Sequence, residues 1–444
     1  MAIINLNSQF ESTGTRFKVF PQSRHSPFAR HQPEVIYVST PPAKIQPGPA
    51  DNRFKIVDAF FKNQFYDLWK DYMPPYQGRC YPPVPAGPDG HFDYLDPNYK
   101  DPTQDGRPFN CAATFAAARR VLDMWEAYAG HTVQWISDLH AGHLEVIPFV
   151  ENKGALSGYA RVEFGYYFEG TGPFCRLAYG PGDNGPQAYD RNLPNCENFD
   201  IVAHEVGHNI LFAEVDAPTN ETATLEYYAF HEATSDLIAI IASLHFNSMV
   251  ESVLEYTKGN LYGQNELSAI MEMPRSGFVR MAFNDYRLPL VSSSESPNYA
   301  HSRILTGAIF DILVEVFQDK LVQSKAISEE LAQRSEHQVA SNTYDSSTAM
   351  AIQAEFERAY LKDKEKFQTA LLEARDYVGF LIARTVNQLT PDYFSFFKVG
   401  NKLLATDREI SAGRYQQLIR ECFNWRGITP KRQETQQPKQ IAIM

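Results

Sequence analysis

Residues 201–212 place two histidines and a glutamate inside an apolar run, IVAHEVGHNILF. His204 and His208 are four positions apart, so in a helix both side chains project from one face and can share a metal ion. Glu205 lies beside that pair; it is badly placed to be a third ligand, but it can reach a water on the metal and act as a general base. The alternative is a chance spacing, which would leave two buried histidines in need of other partners. The run therefore predicts a helix that carries a metal, with zinc as the ion.

A second apolar run, residues 225–244, offers the missing third ligand. It reads LEYYAFHEATSDLIAIIASL and places Glu232 and Asp236 on one face of a helix. With Glu232 as ligand, the site has two His, one Glu and an open fourth position, which is typical of catalytic rather than structural zinc. Asp236, one turn further on, can accept the spare imidazole N–H of a ligand histidine.

Two alternatives remain open for this second helix. It can be ordinary core with two acids at its edge, although acids on an apolar face would be costly to bury without cationic partners. His231 can be proposed as the ligand in place of Glu232, but it points about 100° away from that position on the helix.

The two motifs together, HEVGH and then HEATSD, resemble the gluzincin metallopeptidases. Within them the chain is most similar to the thermolysin-like group, whose second signature is Glu-x-x-x-Asp on the helix after the HExxH helix. Other zincins fit less well, because no third histidine follows in the metzincin pattern and Tyr227 stands where gluzincin aminopeptidases would have their glutamate. The resemblance implies a metalloendopeptidase with one Zn²⁺ and a water activated by Glu205, the zinc being held by His204, His208 and Glu232.

The pattern before the HEVGH run extends this resemblance. Residues 111–128 have helical spacing, and β-branched and aromatic residues favour strands at 145–150 and 159–167, with a possible third strand at 175–179 and a glycine loop at 180–185. The same order is found in thermolysin-like catalytic domains, so the resemblance covers about Asn110 to Leu244. We therefore expect an α+β fold with an N-terminal mixed α/β lobe, containing a sheet and the active-site helix, and a mainly helical C-terminal lobe.

The resemblance also implies how a substrate is held. In thermolysin-like enzymes an edge strand pairs with the substrate backbone. Residues 153–157, KGALS, match that strand, which makes the backbone of Gly154, Ala155 and Leu156 the candidate substrate-binding edge. The alternative is a plain hairpin edge.

A histidine and an arginine from the C-terminal lobe stabilise the oxyanion and hold the substrate carbonyl in that family. His301, ahead of an expected helix, resembles the histidine, and Glu295 upstream can orient it. Arg280 resembles the arginine, with Arg275 as an alternative. The simpler interpretations are an exposed loop histidine and a surface arginine.

The chain also departs from the thermolysin-like pattern. Residues 216–219 lack the tyrosine that follows the HExxH helix in the family, and Tyr227 and Tyr228 are more simply core aromatics. The acidic cluster that binds calcium is missing after Asp236, so calcium is not predicted. These departures keep two rivals open: a zinc-binding interaction module of the same fold with impaired catalysis, and a hydrolase of a narrow range of amides or esters.

The rest of the sequence suggests four regions: an extended N-terminal arm at 1–52 with a possible strand at 35–38, the α/β catalytic lobe at 53–224, the helical lobe at 225–428 and a disordered tail at 429–444. Apolar residues three or four apart predict helices at 304–317, 350–360, 366–389 and 415–425.

The resemblance implies a peptide or protein substrate as the partner, and charge argues against two other classes of partner. A net charge of −12 without a basic cluster argues against nucleic acid or an anionic membrane. No apolar run reaches membrane-spanning length, and the first residues lack the pattern of a signal peptide, so a cytoplasmic location is the default expectation, with non-classical export an open alternative. Five scattered cysteines predict no disulfide framework. The oligomeric state is left open.

Overall fold

The structure is a computed structural model of the 444-residue chain. It describes residues 2–22, 32–60, 62–63, 65, 74–97, 106–136, 142–152, 154–158, 160–168, 189–273, 277–288, 297–340 and 345–428. The fold is mixed α/β, with small sheets and a mainly helical C-terminal half, as the sequence predicted.

The N-terminal residues form a short helix and a β-hairpin. Helix α1 (Leu6–Phe10) precedes strands β1 (Thr15–Val19) and β2 (Glu34–Val38), which pair antiparallel. Phe17 is fully buried and stacks on Phe92, with ring centroids 4.9 Å apart. The segment expected to be an extended arm thus contributes, where it is described, a hairpin to the core, because the alternating residues of β1 turn an apolar face inward.

The central sheet has four strands in the order β3 (Phe54–Ile56), β4 (Leu144–Ile147), β6 (Arg161–Phe164) and β5 (Ala155–Ser157). The first three are parallel, and β5 joins antiparallel as an edge strand. Strands β7 (Tyr166–Phe168) and β8 (Tyr189–Pro194) pair separately. The possible strand at 175–179 and the glycine loop at 180–185 lie outside the described residues.

Three helices complete the N-terminal half and its junction with the rest. Helix α2 (Arg107–Ala129) begins four residues before the predicted start and ends at Gly130, which takes the left-handed conformation. Helices α3 (Phe199–Val215) and α4 (Leu225–Ser243) are the two motif helices. Each begins at a side-chain cap, Asn198 for α3 and Thr224 for α4, whose oxygen accepts a backbone N–H of the first turn.

The C-terminal half contains seven helices and one hairpin within the described residues. In chain order they are α5 (Asn247–Thr257), β9 (Ala269–Met273), β10 (Gly277–Met281), α6 (Pro297–Gln323), α7 (Glu329–Ala340), α8 (Ser346–Lys362), α9 (Lys364–Val386), α10 (Phe396–Ser411) and α11 (Gln416–Trp425). The β9–β10 hairpin and helices α5, α7 and α10 were not individually predicted from the sequence. The tail at 429–444 lies outside the described residues.

Helix α4 packs against both α3 and α6, so it lies between the two halves of the chain. Buried residues from before and after α4 belong to one contiguous apolar core. Within the described part of the chain, no single helix is long and apolar enough to cross a membrane, although α4 and α5 taken together, with a 95° bend between them, meet that test by length and composition.

Candidate metal centre

Helix α3 brings the two histidines of the first motif together. The Nε2 atoms of His204 and His208 are 3.1 Å apart, and their rings stand nearly perpendicular. The side chain of His204 is 3% exposed and that of His208 is 12% exposed. The one-face geometry expected from a four-residue spacing is therefore present.

Helix α4 adds the third donor. One carboxylate oxygen of Glu232 lies 3.6 Å from His204 Nε2, and the other lies 3.6 Å from His208 Nε2. Donors about 2.0–2.1 Å from a tetrahedral zinc ion are separated by about 3.3 Å, and the three observed distances lie on either side of that value. His204, His208 and Glu232 form a group that can hold a metal ion.

The two helices can approach this closely because Gly207 lies at their crossing. A Cβ atom on Gly207 would lie 3.2 Å from the Cα of Ser235 on α4 and 3.3 Å from its Cβ and Oγ. Gly207 lies between the two histidines, and Ser235 lies between Glu232 and Asp236. The contact that sets the helix separation is therefore also the contact that sets the distance between the ligands.

Asp236 lies behind the first ligand, one helical turn from Glu232. Its Oδ1 is 2.9 Å from His204 Nδ1, and the carboxylate is buried. A proton on Nδ1 donated to this carboxylate leaves Nε2 of His204 unprotonated and directed at the metal position. Asp236 thus lies where the sequence expected a residue that orients a ligand histidine.

Arg280, on β10, is part of the same buried cluster. Its Nη2 lies 2.7 Å from Asp236 Oδ1, and its Nη1 lies 3.4 Å from Glu232 Oε2. The side chain is 7% exposed, so the surface-arginine interpretation is wrong. Sequence reasoning assigned Arg280 to a substrate carbonyl, whereas in this structure its guanidinium contacts the carboxylates that surround the ligands. Arg275, its alternative, lies outside the described residues.

The pKa values of the two ligand histidines shift in opposite directions. Burial alone would lower the pKa of His204, but its hydrogen bonds to Asp236 and Glu232 outweigh burial and raise that pKa to about 9. Burial and the neighbouring charge of His204 lower the pKa of His208 to about 4. Burial opposes ionisation of Glu232, yet the hydrogen bond from His204 holds the pKa of that carboxyl far below its usual range. Without a metal, His204 is the protonated member of the triad at neutral pH.

Glu205 lies next to the triad and is 8% exposed. Burial raises the pKa of its carboxyl, and a hydrogen bond from the Ser157 hydroxyl offsets part of that effect. Ser157 ends edge strand β5, which packs against α3. The edge strand and the expected general base are therefore neighbours.

The backbone of the edge strand is only partly available to a substrate. Ala155 and Leu156 are half-buried, and they lie on the outermost strand of the described sheet. The carbonyl of Gly154 already accepts hydrogen bonds from Asn195 Nδ2 at 2.7 Å and from the Gly165 amide at 2.8 Å. The carbonyl of Gly154 is therefore already hydrogen-bonded within the protein, whereas Ala155 and Leu156 lie on the edge strand itself.

His301 lies within helix α6 rather than ahead of it. The helix begins at Pro297, whose fixed φ angle suits a first helical residue, so the expected start near residue 304 was too late. His301 is half-buried in the second turn of α6, and α6 packs along α4. Glu295, proposed to orient this histidine, lies outside the described residues.

Two aromatic neighbours lie beside the three-donor group: His231, which the sequence offered as an alternative to Glu232 and which that group does not include, and Tyr299, to which the sequence assigned no role. His231 is buried, and its ring stacks parallel to that of His208 with centroids 5.8 Å apart. Tyr299 lies over Arg280, with the guanidinium carbon 5.4 Å from its ring centroid. Tyr227 is buried core, as expected, but Tyr228 is 48% exposed.

Comparison with known proteins adds no family assignment. The chain matches no model of a known protein family. It likewise matches no curated protein.

Proposed function

We propose that the protein is a zinc metallopeptidase of the gluzincin group with a thermolysin-like fold. The observation that carries the proposal is the placement of His204, His208 and Glu232 as a three-donor group with the carboxylate of Glu205 beside it. Two imidazoles and one carboxylate are the donor set of catalytic zinc sites, which keep a fourth position open. The 12% and 19% exposure of His208 and Glu232 provides a side from which solvent or substrate can approach.

Charge balance supports a divalent cation. When ionised, the buried carboxylates of Glu205 and Asp236 and the partly buried carboxylate of Glu232 carry three negative charges, and Arg280 compensates one of them. Once His204 is neutral, as a metal ligand must be, two negative charges remain in a largely buried cluster, which is costly without a counter-ion. A divalent cation bound by the triad would neutralise them.

Different residues of the chain take different roles in the proposed hydrolysis. A zinc ion held by His204, His208 and Glu232 would supply Lewis acidity for a carbonyl and would lower the pKa of water toward about 7. Glu205 takes a proton from the attacking water and returns it to the leaving amine; its raised pKa suits a group that must both accept and give a proton. Asp236 keeps the His204 proton on Nδ1, and Arg280 holds Asp236 in place. The edge at Ala155 and Leu156 aligns the peptide, and His301 is the proposed donor to the oxyanion.

The direct test compares the native protein with Glu205→Gln, which keeps the shape of the side chain. We expect both to contain about one zinc ion per chain by elemental analysis. Only the native protein should cleave peptides from a broad library, with a loss of at least about 100-fold in the variant. A native protein that cannot bind stoichiometric zinc would contradict the metal site.

A zinc-binding module with impaired turnover is the second candidate. It is favoured by the burial of Arg280 against Asp236 and Glu232, which leaves that guanidinium engaged with the protein rather than with a substrate carbonyl. This candidate predicts stoichiometric zinc in both proteins with no cleavage by either. A hydrolase of narrow specificity would instead cleave a few amide or ester compounds from a small-molecule panel and do so only with Glu205 intact.

A further inference from the structure

Tyr299 is a half-exposed aromatic residue that touches the metal centre from outside. Its side chain lies in the first turn of α6, and 44% of the residue is exposed. Its ring centroid is 5.4 Å from the guanidinium carbon of Arg280, within the range of a cation–π contact. The Arg280 side chain is itself only 7% exposed. The ring is therefore a neighbour of a cation that is largely withdrawn from water.

A continuous series of contacts leads from this ring to the metal ligand. Arg280 contacts Asp236 at 2.7 Å, and Asp236 contacts His204 Nδ1 at 2.9 Å. Each contact constrains the next, because a guanidinium that rotated away from Asp236 would leave that carboxylate free to rotate away from the histidine. Partners behind a metal ligand fix the orientation of its ring and its basicity.

We infer that Tyr299 is a positioning residue of the metal centre: its ring holds Arg280 against Asp236, and through Asp236 it holds His204 in the orientation that binds metal. This rests on the metal site of the proposed function. The role is assigned to the ring because the cation–π contact with Arg280 is made by the ring. Tyr299 lies on α6, which packs along α4. Its contact with Arg280 therefore also links the helical half of the chain to the metal ligands.

The test compares Tyr299→Phe, which keeps the aromatic ring, with Tyr299→Leu, which removes it. Tyr256→Leu serves as the matched control, because Tyr256 is a 58% exposed tyrosine on α5. Two readouts are independent of activity: the rate of zinc loss to a chelator and the visible spectrum of the cobalt-substituted protein. We expect Tyr299→Leu to lose zinc about tenfold faster and to show a changed cobalt spectrum, with Tyr299→Phe and the control close to native.

A double-mutant cycle then tests the route through Arg280. If Tyr299 acts by holding Arg280, Tyr299→Leu should have little further effect in an Arg280→Met background. Additive effects would overturn the inference, and so would a Tyr299→Leu protein that retains zinc like the native one, or a Tyr299→Phe protein as impaired as Tyr299→Leu. A native protein without zinc would instead refute the proposed metal site itself, so the two failures are distinguishable.

Discussion

Zinc binding to this centre should depend steeply on pH, because the first ligand is protonated when the metal is absent. His204 donates to Asp236 at 2.9 Å and lies 3.6 Å from Glu232, and these carboxylates raise its pKa to about 9. The metal needs the lone pair of Nε2, so binding must expel a proton from the imidazolium. The proton on Nδ1 stays on the His204 ring and is donated to Asp236, and the proton that is lost is the one on Nε2.

The size of the effect follows from the two histidine pKa values. Below about pH 9 the apparent affinity should fall about tenfold per pH unit, so the loss between pH 8 and pH 6 is about 100-fold. His208 does not add to this slope in that range, because its pKa is about 4 and it is already neutral. The slope should therefore correspond to one proton rather than two.

Calorimetric titration with zinc at pH 7, in several buffers of different ionisation enthalpy, measures the number of protons released. We expect a value near one, matched by the slope of affinity against pH from competition with a chelator. His131→Gln is the control, since the side chain of that histidine is 44% exposed and its carboxylate partner, Glu214, lies outside the centre. An affinity that stays flat from pH 6 to pH 8 would refute the argument that His204 is protonated before the metal binds.

Three further predictions concern the metal-free protein and its packing. The pKa of His204 rises from 6.5 in the unfolded chain to about 9 in the folded one, so its contribution to stability is complete below pH 6.5 and is lost as pH rises through 9. The melting temperature of the zinc-free protein should therefore fall between pH 6.5 and pH 9. The melting temperature of the zinc-loaded protein should not show this loss. Gly207→Ala should gain about 1 kcal/mol of helix propensity, but its Cβ should crowd Ser235. We therefore expect zinc affinity to drop about tenfold while the melting temperature changes little. Unchanged affinity in a chelator competition would count against Gly207 setting the distance between the ligands. Phe17→Ala should lower the free energy of unfolding by about 3–5 kcal/mol in denaturant titration, since Phe17 is fully buried against Phe92; a loss below about 1 kcal/mol would mean that the hairpin is not part of the core.

The sequence was most informative where the signal is local. His204, His208 and Glu205 could be placed because four-residue spacing on one helix fixes their relation, and Glu232 with Asp236 repeat the same geometry on the next helix. The apolar surroundings of these polar residues supplied the second clue, since buried charges need partners.

Relations between distant segments could not be read in the same way. Arg280 belongs to a hairpin whose sequence shows no clear alternation of apolar and polar residues. Only the fold brings Arg280 to Asp236, which lies 44 positions earlier in the chain. Tyr299 carries no sequence signal at all, because a half-exposed tyrosine in a helix is ordinary until its neighbour is known. The strand at 35–38 was predicted, but its hairpin partner β1 was missed because prolines and basic residues separate the two strands, and the burial of Phe17 depends on α2 and Phe92.

The charges at the centre also explain how the chain can fold before it acquires a metal. With Glu205, Glu232 and Asp236 ionised, Arg280 and a protonated His204 together cancel two of three negative charges. The proton on His204 thus acts as a partial substitute for the metal, and the large apolar core does not depend on the ion. Small zinc domains, by contrast, are unfolded without their metal because the metal site takes the place of a large hydrophobic core. Zinc should therefore enter a folded protein by exchange for one proton, and a chelator should remove the zinc, and with it the proposed peptidase activity, while leaving helix content unchanged.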